Sequence, residues 1–246
     1  METRGWALVT GASRRLGRTL ALQVARSGYD VIVHSLHAGD EAEDTARQIR
    51  ALGHLADTLS GDLASPSDCA GLLRTRAPIT LLVNCASQFD DDSIASLTPQ
   101  SWDAHLAVNL RAPVLLSQGF AAALPTDLSG LIVNIIDQRV WRLTPQFFSY
   151  TISKAALWTA TQTLAQALAP RIRVNAIGPG PTLPSVHQAP GAFEAEAAAV
   201  PLGHGPQPEE IAAALAYLID APSVTGQMIA VDGGQHLAWR TPDVLE

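Results

Sequence analysis

Residues 6–18 have the sequence WALVTGASRRLGR, in which a short apolar run meets a glycine turn and then a helical pattern. An apolar run of this length predicts a buried strand, and the apolar residues that follow at helical spacing predict a helix over Leu16–Ser27. Gly11 permits a tight turn, and Gly17 lets the helix approach the sheet. The stretch therefore predicts a strand, a turn and a helix whose N-terminal N–H groups can bind phosphate.

The same alternation of strands and helices continues along the chain. Strands are predicted at Trp6–Thr10, Val31–Ser35, His54–Leu59, Ile79–Cys85, Leu131–Asp137, Ile172–Ile177 and Gln227–Val231, and further helices at Gln100–Leu124 and Tyr150–Ala169. Alternation of this kind predicts parallel βαβ units. We therefore expect an α/β fold, a doubly wound parallel sheet (Rossmann fold) in three layers and a single domain spanning residues 1–246. The irregular region Pro179–Pro208 is long enough to contain a substrate loop, which we place at about residues 182–206.

Composition excludes several classes of protein. Of 246 residues, 47% are hydrophobic and 16% charged, a balance that disordered chains do not have. The net charge of −7 argues against a nucleic-acid partner, since phosphate neutralisation needs a basic surface. With only Cys69 and Cys85, no signal-peptide pattern and no apolar stretch long enough for a membrane span, we expect a reduced protein of the cytoplasm, with no membrane contact.

The end of the second predicted strand bears on the choice of dinucleotide. NAD-binding units commonly place a carboxylate there, whereas this chain has Ser35 followed by Leu and His37. Arg14, Arg15 and His37 could pair with a 2′-phosphate, so NADP(H) is favoured over NAD(H). Alternatively, His34 and His37 are ordinary surface histidines. No pattern of metal ligands is present, so no metal site is expected.

Tyr150 and Lys154 form the most specific chemical pattern in the sequence. Residues four apart at a helix start lie on one face, one turn from each other. A nearby ammonium favours the phenolate, so we expect Lys154 to lower the pKa of Tyr150 and make the phenol an acid/base catalyst. A Tyr-x-x-x-Lys match also arises by chance on surface helices. The match is much more informative because it occurs together with the glycine turn, and the two together favour the catalytic interpretation.

These features together resemble the short-chain dehydrogenase/reductase family over essentially the whole chain. The resemblance rests on the turn from Thr10 to Gly17, on Asp62-Leu63, Asn84-Cys85-Ala86, Asn109, Tyr150 with Lys154, Pro179-Gly180 and the segment from Val231 to Gly234. It implies hydride transfer to or from nicotinamide C4, with Tyr150 as acid/base and Lys154 on the nicotinamide ribose. It also implies that Asn109 helps to hold the lysine through water, and that the protein is a homotetramer or homodimer.

The turn and the resemblance predict a set of cofactor contacts around the carboxyl ends of the strands. They are Gly11, Ser13, Arg14, Arg15, Leu16, Gly17, His34, Ser35, His37, Asp62, Leu63, Asn84, Ala86, Ser87, Tyr150, Lys154, Pro179, Gly180 and Thr182. The oligomer would use the two long helices and the segment Gly233–Trp239.

Three departures from the family pattern narrow the resemblance. Asp137 stands where the family usually has a serine, Arg15 replaces the second glycine of the turn, and Ser87 replaces the glycine after Asn-Asn-Ala, with Phe89 close behind. Each is similar to what pteridine reductases and dihydromonapterin reductases of the family show. This resemblance implies NADPH as cofactor and a flat pterin stacked on Phe89. The predicted substrate contacts are Ser87, Phe89, Asp137, Tyr150, Gly180 and Leu183.

Asp137 suits the reduction of a C=N bond. A serine can only hydrogen-bond a carbonyl oxygen, whereas a carboxylic acid can pass a proton through the tyrosine to a ring nitrogen. Burial would raise the pKa of Asp137 and Lys154 would oppose that shift. Alternatively, Asp137 caps the turn after its strand and Phe89 is a core residue. The run from Asp90 to Asp92 is interpreted as a solvated loop.

We therefore expect an NADPH-dependent reductase of a small molecule, with catalytic residues Asp137, Tyr150, Lys154 and Asn109 acting on a dihydropterin to give the tetrahydropterin. One alternative is an NADP(H)-dependent carbonyl reductase or alcohol dehydrogenase, in which Asp137 and Phe89 are incidental. A second is a nonenzymatic NADPH sensor, against which the Tyr150–Lys154 pair argues, because a sensor does not need proton transfer.

Overall fold

The computed structural model describes residues 3–75, 77–184 and 190–239. Its strands are β1 Trp6–Val9, β2 Asp30–Ser35, β3 Ala56–Ser60, β4 Ile79–Asn84, β5 Gly130–Ile135, β6 Ile172–Pro179 and β7 Met228–Val231. They form one seven-stranded sheet in the order β3-β2-β1-β4-β5-β6-β7, and every pair of neighbours is parallel. The predicted doubly wound sheet is confirmed.

The helices lie between the strands in sequence. They are α1 Arg15–Arg26, α2 Asp40–Ala51, α3 Pro66–Gly71, α4 Pro99–Leu106, α5 Ala112–Ala123, α6 Phe148–Leu168, α7 Ala192–Ala198 and α8 Pro208–Asp220. The long helix predicted at Gln100–Leu124 is divided, because a π-helical segment at Ala107–Arg111 separates α4 from α5. Pro113 follows this segment, and its missing N–H is compatible with a break in the regular hydrogen-bond ladder.

Alternation along the strands produces the three layers. Ala7 and Val9 of β1 pack in one apolar cluster with residues of α1, α2 and α8, whereas Leu8 packs in a second cluster with residues of α3, α5 and α6. Because successive strand side chains point to opposite faces, each face of the sheet is covered by helices. This burial of both faces explains why the central strands β1, β4 and β5 are short, mostly apolar runs.

β1 and β4 are neighbours in the middle of the sheet, and the chain adds its later strands in opposite directions on either side of this pair. Their carboxyl ends are tied together, since Oγ1 of Thr10 accepts the N–H groups of Cys85 at 2.9 Å and Ala86 at 3.1 Å. In open α/β sheets a ligand crevice forms at such a switch point. The fold therefore indicates a ligand site between the loops that follow β1 and β4.

The glycine turn after β1 depends on close backbone contact. Gly11 has φ +66°, and a Cβ atom on Gly17 would collide with the carbonyl oxygen of Gly11. Gly17 thus lets the first turn of α1 pack directly against the turn, as the sequence predicts.

The assignment of residues 1–246 to one domain with a substrate loop at residues 182–206 stays a prediction. Residues 185–189 of that loop lie outside the described residues, whereas α7 lies within the loop. Across residues 3–75, 77–184 and 190–239, none of the helices has both the length and the apolar character required to cross a bilayer.

We expect Gly17→Ala to lower the free energy of unfolding by at least about 2 kcal/mol, because the added methyl meets a rigid backbone carbonyl rather than a flexible side chain. Gly71→Ala is the matched control, since a Cβ at Gly71 in α3 meets nothing within 4 Å. This control should be neutral or stabilise the protein by up to about 1 kcal/mol. Urea denaturation measures both, and equal stabilities would contradict the close packing of the turn.

Candidate active site

A cavity of about 820 Å³ lies at the carboxyl ends of the strands, within the size range of small-molecule and cofactor sites. Every predicted site residue except Asn84 and Asn109 lines it. The predicted residues in the lining are Gly11, Ser13, Arg14, Arg15, Leu16, Gly17, His34, Ser35, His37, Asp62, Leu63, Ala86, Ser87, Phe89, Asp137, Tyr150, Lys154, Pro179, Gly180, Thr182 and Leu183.

One end of the cavity fits the phosphates of a dinucleotide. No side chain caps the N-terminus of α1 and its first turn has no acidic residue, so the N–H groups there remain available to an anion. Arg14 and Arg15 are exposed beside this terminus, and His37 lines the same cavity. Glu41 of α2 also lines the cavity, a carboxylate that the sequence analysis missed because it belongs to a mostly polar helix.

His34 supports the glycine turn that follows β1. Its Nδ1 accepts the N–H of Gly11 at 3.2 Å, so its Nε2 carries the hydrogen and donates to the carbonyl oxygen of Gly61 at 3.0 Å. Burial lowers the pKa of His34, which favours the neutral ring that this pattern requires. The alternative of a surface histidine is wrong for His34, since the side chain is buried and fixes the backbone of the turn.

Asp137 and Tyr150 are brought together by β5 and α6. The hydroxyl of Tyr150 donates to Oδ2 of Asp137 at 2.9 Å. The other carboxyl oxygen, Oδ1, accepts the N–H of Arg139 at 2.7 Å and caps the short 3-10 turn Gln138–Val140. The two interpretations of Asp137, catalytic partner and cap, are therefore compatible, because each uses a different oxygen.

Burial dominates the electrostatics of this group. It raises the pKa of Asp137, although hydrogen bonds from Arg139 and Tyr150 and the charges of Arg139 and Lys154 oppose the shift. Burial also raises the pKa of Tyr150 well above its ordinary value, and the charge of Asp137 adds to the effect. Both shifts favour the protonated forms of the carboxyl and the phenol.

The expectation that Lys154 brings the pKa of Tyr150 below its ordinary value is wrong, because burial raises it. The Nζ atom of Lys154 donates to the carbonyl oxygen of Ile135 at 2.9 Å and lies 5.7 Å from the centre of the Tyr150 ring. Burial lowers the pKa of Lys154 itself to about 8, against the opposing charges of Asp137 and Cys85. The cost of desolvation therefore exceeds the effect of the ammonium on the phenol.

Asn109 joins the loop after β4 to α6. Its Oδ1 accepts from the N–H of Gln88 at 2.8 Å and the hydroxyl of Ser87 at 3.1 Å. Its Nδ2 donates to the carbonyl oxygen of Gln88 at 2.9 Å and to Oγ of Ser153 at 3.0 Å. All four hydrogen-bonding positions of the amide are occupied by protein groups. The prediction that Asn109 holds Lys154 through water is therefore not supported, and the residue positions the loop instead.

Asn84 lies inside the molecule rather than on the cavity. Its Nδ2 donates to Oδ1 of Asn134 on β5 at 2.8 Å, and Nδ2 of Asn134 donates to Oγ1 of Thr161 on α6 at 2.9 Å. All three side chains are buried. The predicted cofactor contact of Asn84 is not supported, because its side chain is directed along this internal chain of hydrogen bonds.

Phe89 forms part of an aromatic wall of the cavity. Its ring meets the Tyr150 ring edge-on at 4.6 Å and stacks on Phe147 at 4.6 Å with an interplanar angle of 8°. Phe89 is only partly buried, so the alternative of a core residue is wrong. The sequence analysis missed Phe147, whose only signal is an aromatic side chain shortly before Tyr150. Its left-handed backbone, with φ +53°, directly precedes α6.

Asp92 caps the helix that carries Tyr150 and Lys154. Its Oδ1 accepts the N–H of Ser149 at 2.9 Å, and its main-chain oxygen accepts the N–H of Phe148 at 3.1 Å. The hydroxyl of Ser101 donates to its other carboxyl oxygen at 3.1 Å. The interpretation of residues 90–92 as a solvated loop is therefore wrong for Asp92, which is only 4% exposed. The sequence gives no direct signal for it, since the helix start is 56 positions away in the chain.

The predicted substrate loop begins against the glycine turn. Nη2 of Arg15 donates to the carbonyl oxygen of Pro184 at 2.7 Å, and Thr182 and Leu183 line the cavity. The cavity lining also includes Phe193, Glu196 and Gln235, which the sequence analysis missed because no local motif marks them.

Comparison with known proteins found relatives over nearly the whole chain. A short-chain type dehydrogenase/reductase of Picea abies is 31% identical, over 93% of this chain and 91% of that protein. Residues 11–236 match the family model described as enoyl-(acyl carrier protein) reductase. A 3-oxoacyl-[acyl-carrier-protein] reductase of Synechocystis sp. is 30% identical, over 93% of this chain and 95% of that protein. The crystal structure of FolM alternative dihydrofolate reductase 1 from Brucella canis, complexed with NADP, is similar with a TM-score of 0.94 and 48% identity, covering 99% of this chain and 98% of that one. The angucycline C-6 ketoreductase LanV with bound NADP has a TM-score of 0.87 and 30% identity, covering 97% and 100%.

We expect Asp92→Ala to lower the free energy of unfolding by about 1–2 kcal/mol, the usual effect of losing a helix N-cap. It should also speed amide hydrogen exchange in the first turn of α6. The matched control is Asp91→Ala, because Asp91 is the exposed neighbour, and its effect should stay within about 0.5 kcal/mol. Chemical denaturation and hydrogen exchange measure these effects. Equal behaviour of the two variants would contradict the capping role.

Proposed function

Because the chain belongs to the short-chain dehydrogenase/reductase family, we propose that it is a reductase that uses NADPH to convert a dihydropterin to the tetrahydropterin. The family match and the NADP-bound neighbours make it an NADP(H)-dependent oxidoreductase. The pterin assignment goes further, and the observation that carries it is the hydrogen bond between Tyr150 and Asp137. The similarity to an alternative dihydrofolate reductase at 48% identity supports the same substrate class.

The cofactor site of the proposal uses the end of the cavity that fits phosphates. Arg14, Arg15 and His37 would pair with the phosphate groups, and the uncapped N-terminus of α1 would receive the pyrophosphate. Lys154 would hold the nicotinamide ribose. When bound there, the cofactor supplies the hydride.

The acid pair accounts for the proton that reduction of a C=N bond requires. Tyr150 would donate its hydroxyl proton to the ring nitrogen of the substrate, and protonated Asp137 would return a proton to the phenolate oxygen, which lies within hydrogen-bond distance of Oδ2. In this step the hydrogen bond runs from the carboxylic acid to the tyrosine oxygen. Burial raises the pKa of Asp137 and thus favours the acid form that this step uses. The buried ammonium of Lys154 would stabilise the transient phenolate. Asp137 would then regain its proton from solvent.

The aromatic wall suits a flat heterocycle. Phe89 and Tyr150 lie in contact at the cavity wall, and Ser87 and Leu183 contribute further lining. A pterin placed beside Tyr150 would bury its apolar ring faces against such a surface. Phe89, Gly180 and Leu183 are therefore part of the proposed substrate site.

The protein is further proposed to act in the cytoplasm as a homotetramer or homodimer, through the two long helices and the segment Gly233–Trp239. Light scattering coupled to size-exclusion chromatography measures the mass, and a monomeric mass for the active enzyme would overturn the oligomer.

A second candidate is a carbonyl reductase, which the similarity to an oxoacyl reductase and to a ketoreductase favours. Against it stands Asp137, because polarising a ketone needs only a hydrogen-bond donor, whereas this site has a half-buried carboxyl group whose pKa is raised by desolvation. The nonenzymatic alternative is set aside, because the chain belongs to a family of oxidoreductases and contains the Tyr150–Lys154 pair.

We expect the purified enzyme to oxidise NADPH with dihydrobiopterin, dihydromonapterin or dihydrofolate faster than with any member of a ketone panel. Loss of NADPH absorbance measures the rates. Tyr150→Phe should lower kcat by about 100-fold or more while NADPH still binds, since general acid catalysis commonly contributes that much. Tyr217→Phe is the matched control, because Tyr217 is exposed on α8. Failure of the native enzyme to reduce any pterin would overturn the proposed substrate class.

Asp137 gives the proposal a pH signature. Since the acid form delivers the proton and burial raises its pKa, kcat should fall as the pH rises through the pKa of Asp137. Asp137→Asn keeps an acceptor for Arg139 but holds no acidic proton, so kcat should drop by about 100-fold and this pH limb should disappear. Asp137→Ser should gain ketone reduction relative to pterin reduction. An unchanged pH profile in Asp137→Asn would contradict the acid role.

A further inference from the structure

Arg139 is a cation on the cavity wall without a carboxylate partner. Its Nη1 donates to Oγ1 of Thr144 at 2.8 Å, which holds the side chain in place. Its Nε is buried and has no hydrogen-bond partner. None of the ion pairs in the described part of the chain includes Arg139.

A buried N–H without a partner is costly when it belongs to a cation. Removing a donor from water without giving it a new partner costs more free energy when the donor belongs to a charged group than when it is neutral. Nε itself has no accessible surface, so a ligand in the cavity would meet the outer amino groups of the guanidinium, of which Nη2 donates to none of the described protein groups. A guanidinium presents its donors as a planar fork, the geometry that matches a carboxylate.

The position of Arg139 says which part of a ligand it can reach. Its guanidinium carbon lies 5.1 Å from the centre of the Phe147 ring, Phe147 stacks on Phe89, and Phe89 meets Tyr150 edge-on. Along this wall, two aromatic rings stand between the guanidinium and the phenol that would protonate the substrate. The guanidinium lies against Phe147 rather than Tyr150, so it would meet a substituent of the substrate, although its charge also acts on the phenol and opposes the rise in the pKa of Tyr150.

We propose that Arg139 binds the carboxylate of an acidic side chain on the substrate and thereby selects dihydropterins with such a side chain. The substrate class is then that of dihydrofolate, whose benzoylglutamate side chain carries carboxylates, over dihydropterins with a neutral side chain. This inference rests on the proposed function and deepens it. It assigns specificity to a residue that takes no part in the transfer of the proton or the hydride.

Arg139 has a second influence that the experiment must separate from substrate binding. Its positive charge and its main-chain N–H both act on Asp137 to oppose the effect of burial. A change in that influence would alter the reduction of all pterins together. Binding of a side-chain carboxylate affects only substrates that carry one.

The test compares dihydrofolate and dihydrobiopterin as substrates of the native enzyme, Arg139→Gln and Arg139→Lys with NADPH. In Arg139→Gln, the ratio of kcat/KM for dihydrofolate to that for dihydrobiopterin should fall about tenfold or more, chiefly through a higher KM for dihydrofolate. Arg139→Lys keeps the charge but loses the fork, so its ratio should be intermediate. Arg142→Gln is the matched control, since Arg142 is exposed and absent from the cavity lining, and its ratio should equal that of the native enzyme.

Equilibrium binding gives an independent readout. With NADP⁺ present, Arg139→Gln should weaken methotrexate, which carries the benzoylglutamate side chain, more than a 2,4-diaminopteridine that lacks it. Unchanged ratios of kcat/KM and of dissociation constants would overturn the role of Arg139 and leave the proposed function intact. An equal loss of kcat/KM for both substrates, together with a shifted pH profile, would show that Arg139 acts through Asp137 and would overturn the inference. Failure of the native enzyme to reduce either pterin would overturn the proposed function and this inference together.

Discussion

The hydrogen bond between Tyr150 and Asp137 depends on holding two separate elements in fixed relation. Asp137 follows β5, whereas Tyr150 lies in the first turn of α6. Asp92 caps that helix, and Lys154 is tied to the carbonyl oxygen of Ile135 at the end of β5. Asn109 joins the same helix to the loop after β4. These polar contacts thus hold the phenol and the carboxyl within hydrogen-bond distance of each other.

The fold and the reactive pair were accessible from sequence because their signals are local. Strand and helix periods repeat over a few residues, so the seven strands are found within about two residues of their predicted bounds. Tyr150 and Lys154 are one helical turn apart whatever surrounds them. Asp137 needs one further fact, its spacing before Tyr150, which the family resemblance supplies. These inferences do not depend on the arrangement of distant loops.

The supporting contacts were inaccessible for the opposite reason. Asp92 and Phe147 act through partners brought close only by the folded chain, and nothing in their neighbouring residues marks them. The pKa of Tyr150 was misjudged because the charge of Lys154 can be read from sequence, whereas burial cannot. In the structure, desolvation is the largest influence on Asp137, Tyr150 and Lys154 alike. The sign of a pKa shift therefore needed the solvent exposure of the group.

The amide pair of Asn84 and Asn134 has a consequence for how the site is aligned. The two residues are opposite one another on neighbouring parallel strands, and their side chains are buried. If β4 slid along β5 by one residue, the amides would separate, and Nδ2 of Asn84 and Oδ1 of Asn134 would lose the hydrogen bond that joins them in the protein interior. This buried polar pair therefore fixes the register of β4 and β5 in a sheet whose interior is otherwise largely apolar. It sets the relative height of the loops that carry Phe89 and Asp137, and so the depth at which a flat molecule meets the phenol.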